Sequence, residues 1–274
     1  MHKELLIAAF LTILLTLSGC RKDGNPIDPC DCNRSDSLPF PVKGLVAYYP
    51  LDGNSNDSSG NNYHGIVHHA EPATNRFGRP GKAYLFDGID DYIAVPKLNG
   101  TKLEMDSAIT ISCFIRATAS HGRDPWSRIV MKEAAFGDGY VLSWDQDNNG
   151  RLQSFMLYNS TPARFSTPND NVSFENSQLV GSWHHVVTTY SLATRVLTLY
   201  VDGNLVAQKT NCRYNFEHSS DELGIGGVAG PISDARGVTR YNSFPGSIDD
   251  VRIYDRVLSP AEIKALFHEG GYKR

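Results

Sequence analysis

Leu45-Val46-Ala47-Tyr48-Tyr49 and Gly246-Ser247-Ile248-Asp249-Asp250-Val251-Arg252-Ile253-Tyr254 are the two stretches that decide the fold, because each joins a strand pattern to oxygen-rich side chains. The first stretch runs into a turn of Asp, Asn, Ser and Gly over residues 52–62. Such a turn exposes carboxylates and main-chain carbonyls together, which is the environment that Ca²⁺ needs for its roughly six to eight oxygen ligands. If the two strands are neighbours in one sheet, Asp57 and Asp250 can share one ion and close the domain on itself.

Short apolar or alternating stretches, separated by turn residues, recur from residue 44 onward and predict an all-β, two-sheet antiparallel jelly-roll sandwich over residues 44–272. In residues 108–117, the odd-numbered positions from Ile109 to Ile115 fall on one face of a strand. Asp202-Gly203 predicts a tight hairpin turn, because both residues tolerate a positive φ. The predicted strands are 44–51, 83–87, 92–95, 108–117, 128–132, 140–144, 152–158, 183–191, 196–201, 205–209 and 246–254.

A short helix is predicted at the end of this domain. Ser259 supplies an N-cap, Pro260 the first helical residue and Glu262 the capping-box carboxylate. Ile263, Leu266 and Phe267 then form an apolar stripe, and Gly270-Gly271 end the helix. We expect this helix to pack on the edge of the sandwich.

Residues 1–20 are typical of a bacterial lipoprotein signal peptide, since an apolar run over 5–17 is too short to span a bilayer comfortably. Leu17-Ser18-Gly19-Cys20 resembles the lipobox, so Cys20 is expected to carry the lipid; an ordinary secretory peptide with a chance cysteine is the alternative. The residue directly after Cys20 is Arg21 and not an aspartate. By resemblance to lipoprotein sorting rules, this favours the outer membrane. Residues 21–43 are polar and predict a flexible tether. We therefore expect a protein of the cell envelope that is held only by its lipid anchor and can be exposed at the cell surface.

The five cysteines fall in three different contexts. Cys30 and Cys32 lie in the tether of an exported protein, where they can pair with each other, with a partner or with nothing. Cys113 and Cys212 lie inside the predicted fold, as a disulfide or as two buried thiols.

A net charge of -4, a pI near 6.1 and scattered basic residues argue against a nucleic-acid partner bound by electrostatic attraction.

Six ordered blocks resemble the LamG-like jelly-roll domains of the concanavalin A-like lectin and glucanase superfamily. The resemblance implies two antiparallel sheets and a structural Ca²⁺ near the turn at 57–64. Carried over to this chain, it implies the Asp57 carboxylate, main-chain oxygens near Asn62 and His64, and Asp250 as metal ligands, with Asp52 as a weaker candidate. The alternative is a merely solvated turn. The blocks are residues 44–53, 56–65, 83–93, 181–187, 199–203 and 248–254.

Glycoside hydrolysis is not expected. Glucanases of this superfamily carry Glu-x-Asp-x-Glu on one strand, which places three carboxyl groups on one face, and no such triplet occurs here. The nearest approaches are Glu104-x-Asp106 and Asp145-x-Asp147, so an unfamiliar carboxylate pair remains the alternative. The sequence also lacks a nucleophile elbow, a Walker or Rossmann glycine pattern and His-Glu-x-x-His.

Aromatic and basic residues of the central strands are the candidate ligand contacts. Flat amphipathic rings can meet a sugar face while a guanidinium donates to hydroxyls. Core packing is the competing interpretation for Trp144 and Tyr158. The sequence therefore predicts a non-enzymatic binding module whose partner is a glycan, or alternatively a cell-surface protein bound by an adhesin or scaffold. The candidate residues are Trp126, Trp144, Tyr158, Arg128 and Arg164.

Overall fold

Two antiparallel sheets form most of the structure, which is a computed structural model. It describes residues 40–97, 101–118, 126–133, 139–145, 150–157, 169–216, 222–230, 232–233 and 239–272. The predicted signal peptide with Cys20, the tether up to residue 39, and two candidate ligand residues, Tyr158 and Arg164, lie outside these ranges. None of the helices within them has the length and apolar character needed to cross a membrane.

The strands differ in length from two residues to ten. They are β1 (Leu45–Tyr49), β2 (Ile66–His68), β3 (Glu71–Ala73), β4 (Ala83–Asp87), β5 (Tyr92–Val95), β6 (Ala108–Ala117), β7 (Trp126–Glu133), β8 (Gly139–Asp145), β9 (Arg151–Leu157), β10 (Asn169–Glu175), β11 (His184–Ser191), β12 (Val196–Val201), β13 (Asn204–Lys209), β14 (Leu223–Ile225), β15 (Ile232–Ser233), β16 (Thr239–Arg240) and β17 (Pro245–Tyr254). One α-helix, α1, spans Pro260–Phe267, and short 3₁₀ turns span Ser177–Leu179 and Glu269–Gly271.

The eight-stranded sheet has the order β13-β12-β11-β6-β17-β4-β3, and β1 also pairs with β17. The seven-stranded sheet has the order β10-β9-β8-β7-β14-β5-β2, and β15 pairs with β16 alone. The core lies between the two large sheets. Ile109, Ile111, Cys113 and Ile115 all belong to it, as their alternation predicted.

The predicted all-β, two-sheet architecture is confirmed, and the eleven predicted strands each correspond to an observed one. Asp202 and Gly203 both have positive φ, 50° and 75°, at the predicted hairpin between β12 and β13. The missed strands are short or polar. For example, β10 reads NDNVSFE, and it pairs with only one neighbour, β9.

The long strand β17 changes neighbours halfway along its length. Its first half, Pro245 to Ile248, pairs with β4, and its last residues, Val251 to Tyr254, pair with β1. The register against β6 shifts between Asp249 and Arg252, and Asp250 has a φ of 51°. This bulge reorients the side chains at the point where β4 and β1 meet the same strand.

The helix α1 forms as predicted but packs differently. Its capping box is complete, because Ser259 Oγ accepts from the Glu262 N–H and Glu262 accepts from the Ser259 N–H. Ile263 and Leu266 pack with residues of β11, β12 and β17 that point away from the core. The helix therefore covers the outer face of the eight-stranded sheet, and the expectation that it lies on the sandwich edge is wrong. An edge could not offer the continuous apolar area that this stripe buries.

Cys113 and Cys212 are both buried free thiols. This resolves the alternative left open by the sequence in favour of two small buried apolar side chains. Cys30 and Cys32 lie outside the described ranges.

Replacement of Ser259 by alanine should lower the free energy of unfolding by about 1 kcal/mol, because the N-cap acceptor of α1 is lost. Urea unfolding of the wild type and the variant measures this change. The matched control is Ser58→Ala, an exposed turn serine, which should leave the midpoint unchanged. Equal midpoints for wild type and Ser259→Ala would show that α1 does not depend on its cap.

Candidate binding surface and the ion cluster of the terminal strands

The first and last strands are neighbours, as the sequence predicted. Tyr48 lies opposite Arg252, and Tyr49 opposite Val251. Tyr48 also connects the two acidic residues proposed as metal ligands, since its N–H donates to Asp57 Oδ1 at 2.9 Å and its hydroxyl donates to Asp250 Oδ1 at 2.7 Å. The two carboxylates thus contact opposite ends of one tyrosine.

Asp57 organises the turn that follows β1. Its Oδ1 accepts from the N–H groups of Tyr48 and Ser59, and its Oδ2 accepts from the Ser59 hydroxyl and the Tyr63 N–H. The Asp57 N–H in turn donates to Nδ1 of His64 at 3.1 Å. Four donors therefore already satisfy a carboxylate that is almost completely buried.

Asp250 lies in a buried cluster of charged groups. Nη1 of Arg76 donates to Oδ2 of Asp250 and, at 2.7 Å, to Oδ2 of Asp249. Nη2 of Arg252 lies 3.3 Å from Asp250 Oδ1. Arg76 also stacks over the Phe114 ring at 4.0 Å, which places its charge against an aromatic face as well as against two carboxylates.

The second arginine of the cluster extends it to the C-terminal segment. Arg252 is completely buried and donates to Glu269 Oε1 at 3.0 Å. Its guanidinium lies 4.1 Å from the centre of the Tyr48 ring and 4.5 Å from that of Phe40. Two guanidinium groups therefore face three carboxyl groups, and we define Arg76, Asp249, Asp250, Arg252 and Glu269 as the ion cluster.

Protonation balances the charges of the ion cluster. Burial raises the pKa of Asp249 to about 8, and the neighbouring Asp250 carboxylate adds to this shift. Burial also opposes ionisation of Asp250, but Arg252 and Arg76 outweigh it and lower the pKa of this carboxyl group. Asp249 therefore keeps its proton to a higher pH than an ordinary aspartate does, while Asp250 ionises readily between the two arginines.

The predicted calcium ligands do not fit a shared ion in this arrangement. A divalent cation at Asp250 would lie beside two buried guanidinium groups, which repel it. At Asp57, both oxygens already accept hydrogen bonds from fixed donors. Hydrogen-bond donors thus hold Asp57, and arginines and the Tyr48 hydroxyl hold Asp250, while Asn62 lies in the turn with a φ of 61°. Calcium binding stays a prediction of the sequence. Asp52 is exposed and lies 3.4 Å from Lys82 Nζ.

A second feature is the outer face of the seven-stranded sheet, which carries an exposed tryptophan. Trp126 on β7 is 46% exposed and lies in register with Asp145 on β8. Asp145 lies opposite Arg151 on β9, which lies opposite Glu175 on β10. Arg151 donates to Asp145, with Nε at 3.1 Å from Oδ2, and its Nη1 lies 3.5 Å from Glu175 Oε1. This row crosses four strands, about 14 Å at the usual strand spacing.

The next row on the same face is also polar. Arg128 lies two residues after Trp126 and opposite Ser143, which lies opposite Gln153. Arg128 and Gln153 are both half-buried, whereas Ser143 between them is only 2% exposed. We call the two rows together the tryptophan face, defined by Trp126, Arg128, Ser143, Asp145, Arg151, Gln153 and Glu175.

Two predicted ligand residues therefore lie on this face and one does not. Trp126 and Arg128 share it, as proposed from the sequence. Trp144 is only 1% exposed and points into the core between the sheets, where it meets Phe244 edge-on at 6.3 Å. Its assignment as a ligand contact is wrong. Successive residues of a strand point to opposite faces, so Trp144 points into the core while Asp145, the partner of Trp126, points to the outer face.

Sequence reasoning missed Arg76. It also missed a cluster formed by one histidine and two aspartates, His69, Asp90 and Asp91. Arg76 lies in the loop between β3 and β4 with no motif to mark it, and only the fold brings it to Asp249 and Asp250. His69, Asp90 and Asp91 offer ligand atoms within 4.8 Å of one another. The adjacent acids in Asp90-Asp91 were a visible signal, but their histidine lies on another turn.

Comparison with known protein families agrees with the two-sheet sandwich described above. A family profile described as the concanavalin A-like lectin/glucanases superfamily, laminin G type, matches residues 87–264. The chain belongs to this superfamily. The matched residues contain the whole tryptophan face and three of the five residues of the ion cluster, Asp249, Asp250 and Arg252.

Solved structures with the same fold include receptor-binding domains of botulinum neurotoxins. The binding domain of botulinum neurotoxin DC in complex with SialylT has a TM-score of 0.59 and 14% identity, and covers 84% of this chain and 52% of that one. The same domain in complex with rat synaptotagmin II has a TM-score of 0.60 and 13% identity, with the same coverage. At these identities the likeness shows the fold.

Among curated proteins, jeltraxin of Lepidobatrachus laevis is 24% identical over 135 residues, which are 47% of this chain and 57% of that protein. The chain thus spans about half the length of the solved and curated relatives named here. The family and its neighbours support a binding module.

Replacement of Asp250 by asparagine should lower the free energy of unfolding by about 3–5 kcal/mol, because two buried guanidinium groups lose their shared counter-charge. Chemical denaturation at pH 7 measures the loss. The control is Asp255→Asn at an exposed position just beyond β17, which should change little. A loss of equal size in both variants would contradict a special role of the cluster.

The stability of the protein should fall as pH rises through the range between the unfolded and folded pKa values of Asp249, 3.8 and about 8. In that range the folded chain holds a proton that the unfolded chain has released, so folding is favoured most below it. Asp249→Asn cannot titrate and should flatten this part of the curve of melting temperature against pH. An unchanged slope in the variant would show that Asp249 is ionised in the folded protein.

Proposed function

We propose that this protein is an extracytoplasmic binding module, held at the cell envelope by a lipid on Cys20, which binds an extracellular glycan through the tryptophan face. The observation that carries the proposal is the exposed Trp126 ring in one row with Arg151, which pairs with the buried Asp145 on the same sheet face. Membership of the concanavalin A-like lectin/glucanases superfamily and the fold shared with a neurotoxin binding domain solved in complex with SialylT support it.

The chemistry of the tryptophan face suits a sugar. An exposed indole presents an apolar plane that can stack on the C–H side of a sugar ring. Arg151, which the buried Asp145 holds in place, and the half-buried Arg128 supply N–H donors for hydroxyl groups at the ring edge. Because strand pairing holds Asp145 and Arg151 opposite each other, these groups need little further ordering on binding.

A protein partner is the second candidate, and one observation favours it. Ile66 is 54% exposed on the edge strand β2, and the nearby His68 and Tyr92 rings stack at 4.3 Å on the same sheet. An exposed edge with apolar and aromatic side chains suits a polypeptide ligand. The relative solved in complex with rat synaptotagmin II supports this alternative.

Trp126→Ala should reduce glycan affinity about tenfold or more, because the stacking surface is removed while the sheet is kept. A glycan array with the soluble domain identifies the ligand, and calorimetry with the best hit gives the affinity of each variant. Leu205→Ala is the matched control, since Leu205 is an exposed apolar residue on β13 of the other sheet.

Absence of any glycan hit, or equal affinities for wild type and Trp126→Ala, would contradict the glycan proposal. Capture of an envelope protein that Ile66→Asp abolishes and Trp126→Ala leaves intact would instead establish the second candidate.

The anchoring proposal has its own measurement. Cys20→Ala in the full chain removes the expected lipid, so the protein should move from the membrane fraction to the soluble fraction. Retention of Cys20→Ala with the membrane after a salt wash would contradict lipid anchoring without affecting the ligand proposal.

A further inference from the structure

Three metal-ligating side chains from two separate turns converge at the edge of the seven-stranded sheet. His69 lies between β2 and β3, and Asp90 and Asp91 lie between β4 and β5. Each offers one ligand atom, and these atoms all lie within 4.8 Å of one another. Among the described residues, no other group of three His, Cys, Asp or Glu side chains brings its ligand atoms this close together. It shares no residue with the ion cluster or with the tryptophan face.

Local structure holds the histidine in place. His68 pairs with Tyr92 across β2 and β5, and their rings stack at an interplanar angle of 11°. His69 then adopts a left-handed conformation with a φ of 63°, and the Ala70 N–H donates to the His68 carbonyl at 2.8 Å. This tight turn directs the chain so that His69 Nδ1 lies 3.6 Å from Asp90 Oδ2.

The acidic turn is equally well ordered. Asp87 Oδ1 accepts from the Ile89 N–H at 2.7 Å, and the Asp87 N–H donates to Asp91 Oδ2 at 2.8 Å. Asp91 is only 6% exposed, yet this is the one hydrogen bond that its carboxylate accepts within the described residues. Its other oxygen keeps its acceptor capacity and is available to a cation.

The charge around this carboxylate favours a cation. No lysine or arginine of the described ranges forms an ion pair with Asp90 or Asp91, in contrast to the arginines at Asp250. The site therefore concentrates negative charge beside an imidazole nitrogen.

The donor set selects the class of metal. One imidazole nitrogen with two carboxylates suits Zn²⁺ and related first-row divalent ions, whereas Ca²⁺ prefers a larger set made only of oxygens. The side chains of His69 and Asp90 are 70% and 40% exposed, so rotation can shorten the ligand separations. Three protein ligands leave at least one position for water or for an oxygen of a bound molecule.

We propose that His69, Asp90 and Asp91 form a zinc-type divalent metal site that ties the β2–β3 turn to the β4–β5 turn. A metal here links two turns, each of which passes between the eight-stranded sheet, which contains β3 and β4, and the seven-stranded sheet, which contains β2 and β5. The proposal does not depend on the glycan function.

Calorimetry with ZnCl₂ tests the site on the chain from residue 21 onward, purified without a histidine tag and treated with chelator. We expect one equivalent of zinc, a rise in melting temperature on zinc addition and little response to CaCl₂. His69→Ala should weaken zinc binding about tenfold or more and should abolish the thermal shift. His268→Ala, an exposed histidine next to α1, is the matched control and should bind zinc as the wild type does.

Asp90→Asn provides a second variant, because Asp90 is partly exposed and its loss should leave the metal-free melting temperature unchanged. Cobalt substitution gives an independent readout through visible absorption bands that His69→Ala should remove. Wild-type zinc affinity in both His69→Ala and Asp90→Asn would overturn the proposal, and so would equal losses in His69→Ala and His268→Ala. An absence of zinc binding to the wild type would do the same.

Discussion

The buried pairing of Arg76 and Arg252 with Asp249 and Asp250 is the constraint on which the rest of the structure depends. It lies where β17 leaves β4 and takes up β1, so that a single bulge joins the beginning and the end of the domain. Buried charges cost several kcal/mol each unless their partners are well placed. The cluster therefore penalises any register of β17 in which these partners fail to meet, and it favours the observed pairing of β17 with β1, β4 and β6 in the eight-stranded sheet.

The two sheets use their outer faces differently. On the eight-stranded sheet, α1 and the residues after it cover the outer face with Leu266, Phe267 and Tyr272, so this side is used for stability. On the seven-stranded sheet, Trp126 and the Arg151–Asp145 pair stand on a face that no described helix covers. A rigid sheet with polar groups held in register is a suitable support for ligand recognition, since little conformational entropy is lost on binding.

The acidic motifs of this chain serve different purposes although they look alike in sequence. Asp57 accepts four hydrogen bonds and shapes a turn, and Asp250 balances two arginines. Asp91 accepts from a single donor and forms no ion pair with a lysine or arginine among the described residues. Their composition is similar, so the counter-charges supplied by other segments decide which carboxylate can accept a metal. The resemblance implies an ion near Asp57 and Asp250. It does not say which counter-charges the fold brings to each carboxylate, so it leaves room for a different ion at Asp91.

The sequence alone determined the all-β class, the positions of most strands, the Asp202-Gly203 hairpin, the capping of α1 and the adjacency of β1 and β17. These features follow from short-range rules of alternation, turn conformation and capping, or from a family pattern spread along the chain. Only the tertiary structure decided that Arg76 neutralises Asp250, that Trp144 faces the core while Trp126 faces solvent, and that His69 meets Asp91. Strand periodicity gives two faces without saying which one is buried, and contacts between distant loops depend on how the sheets are assembled.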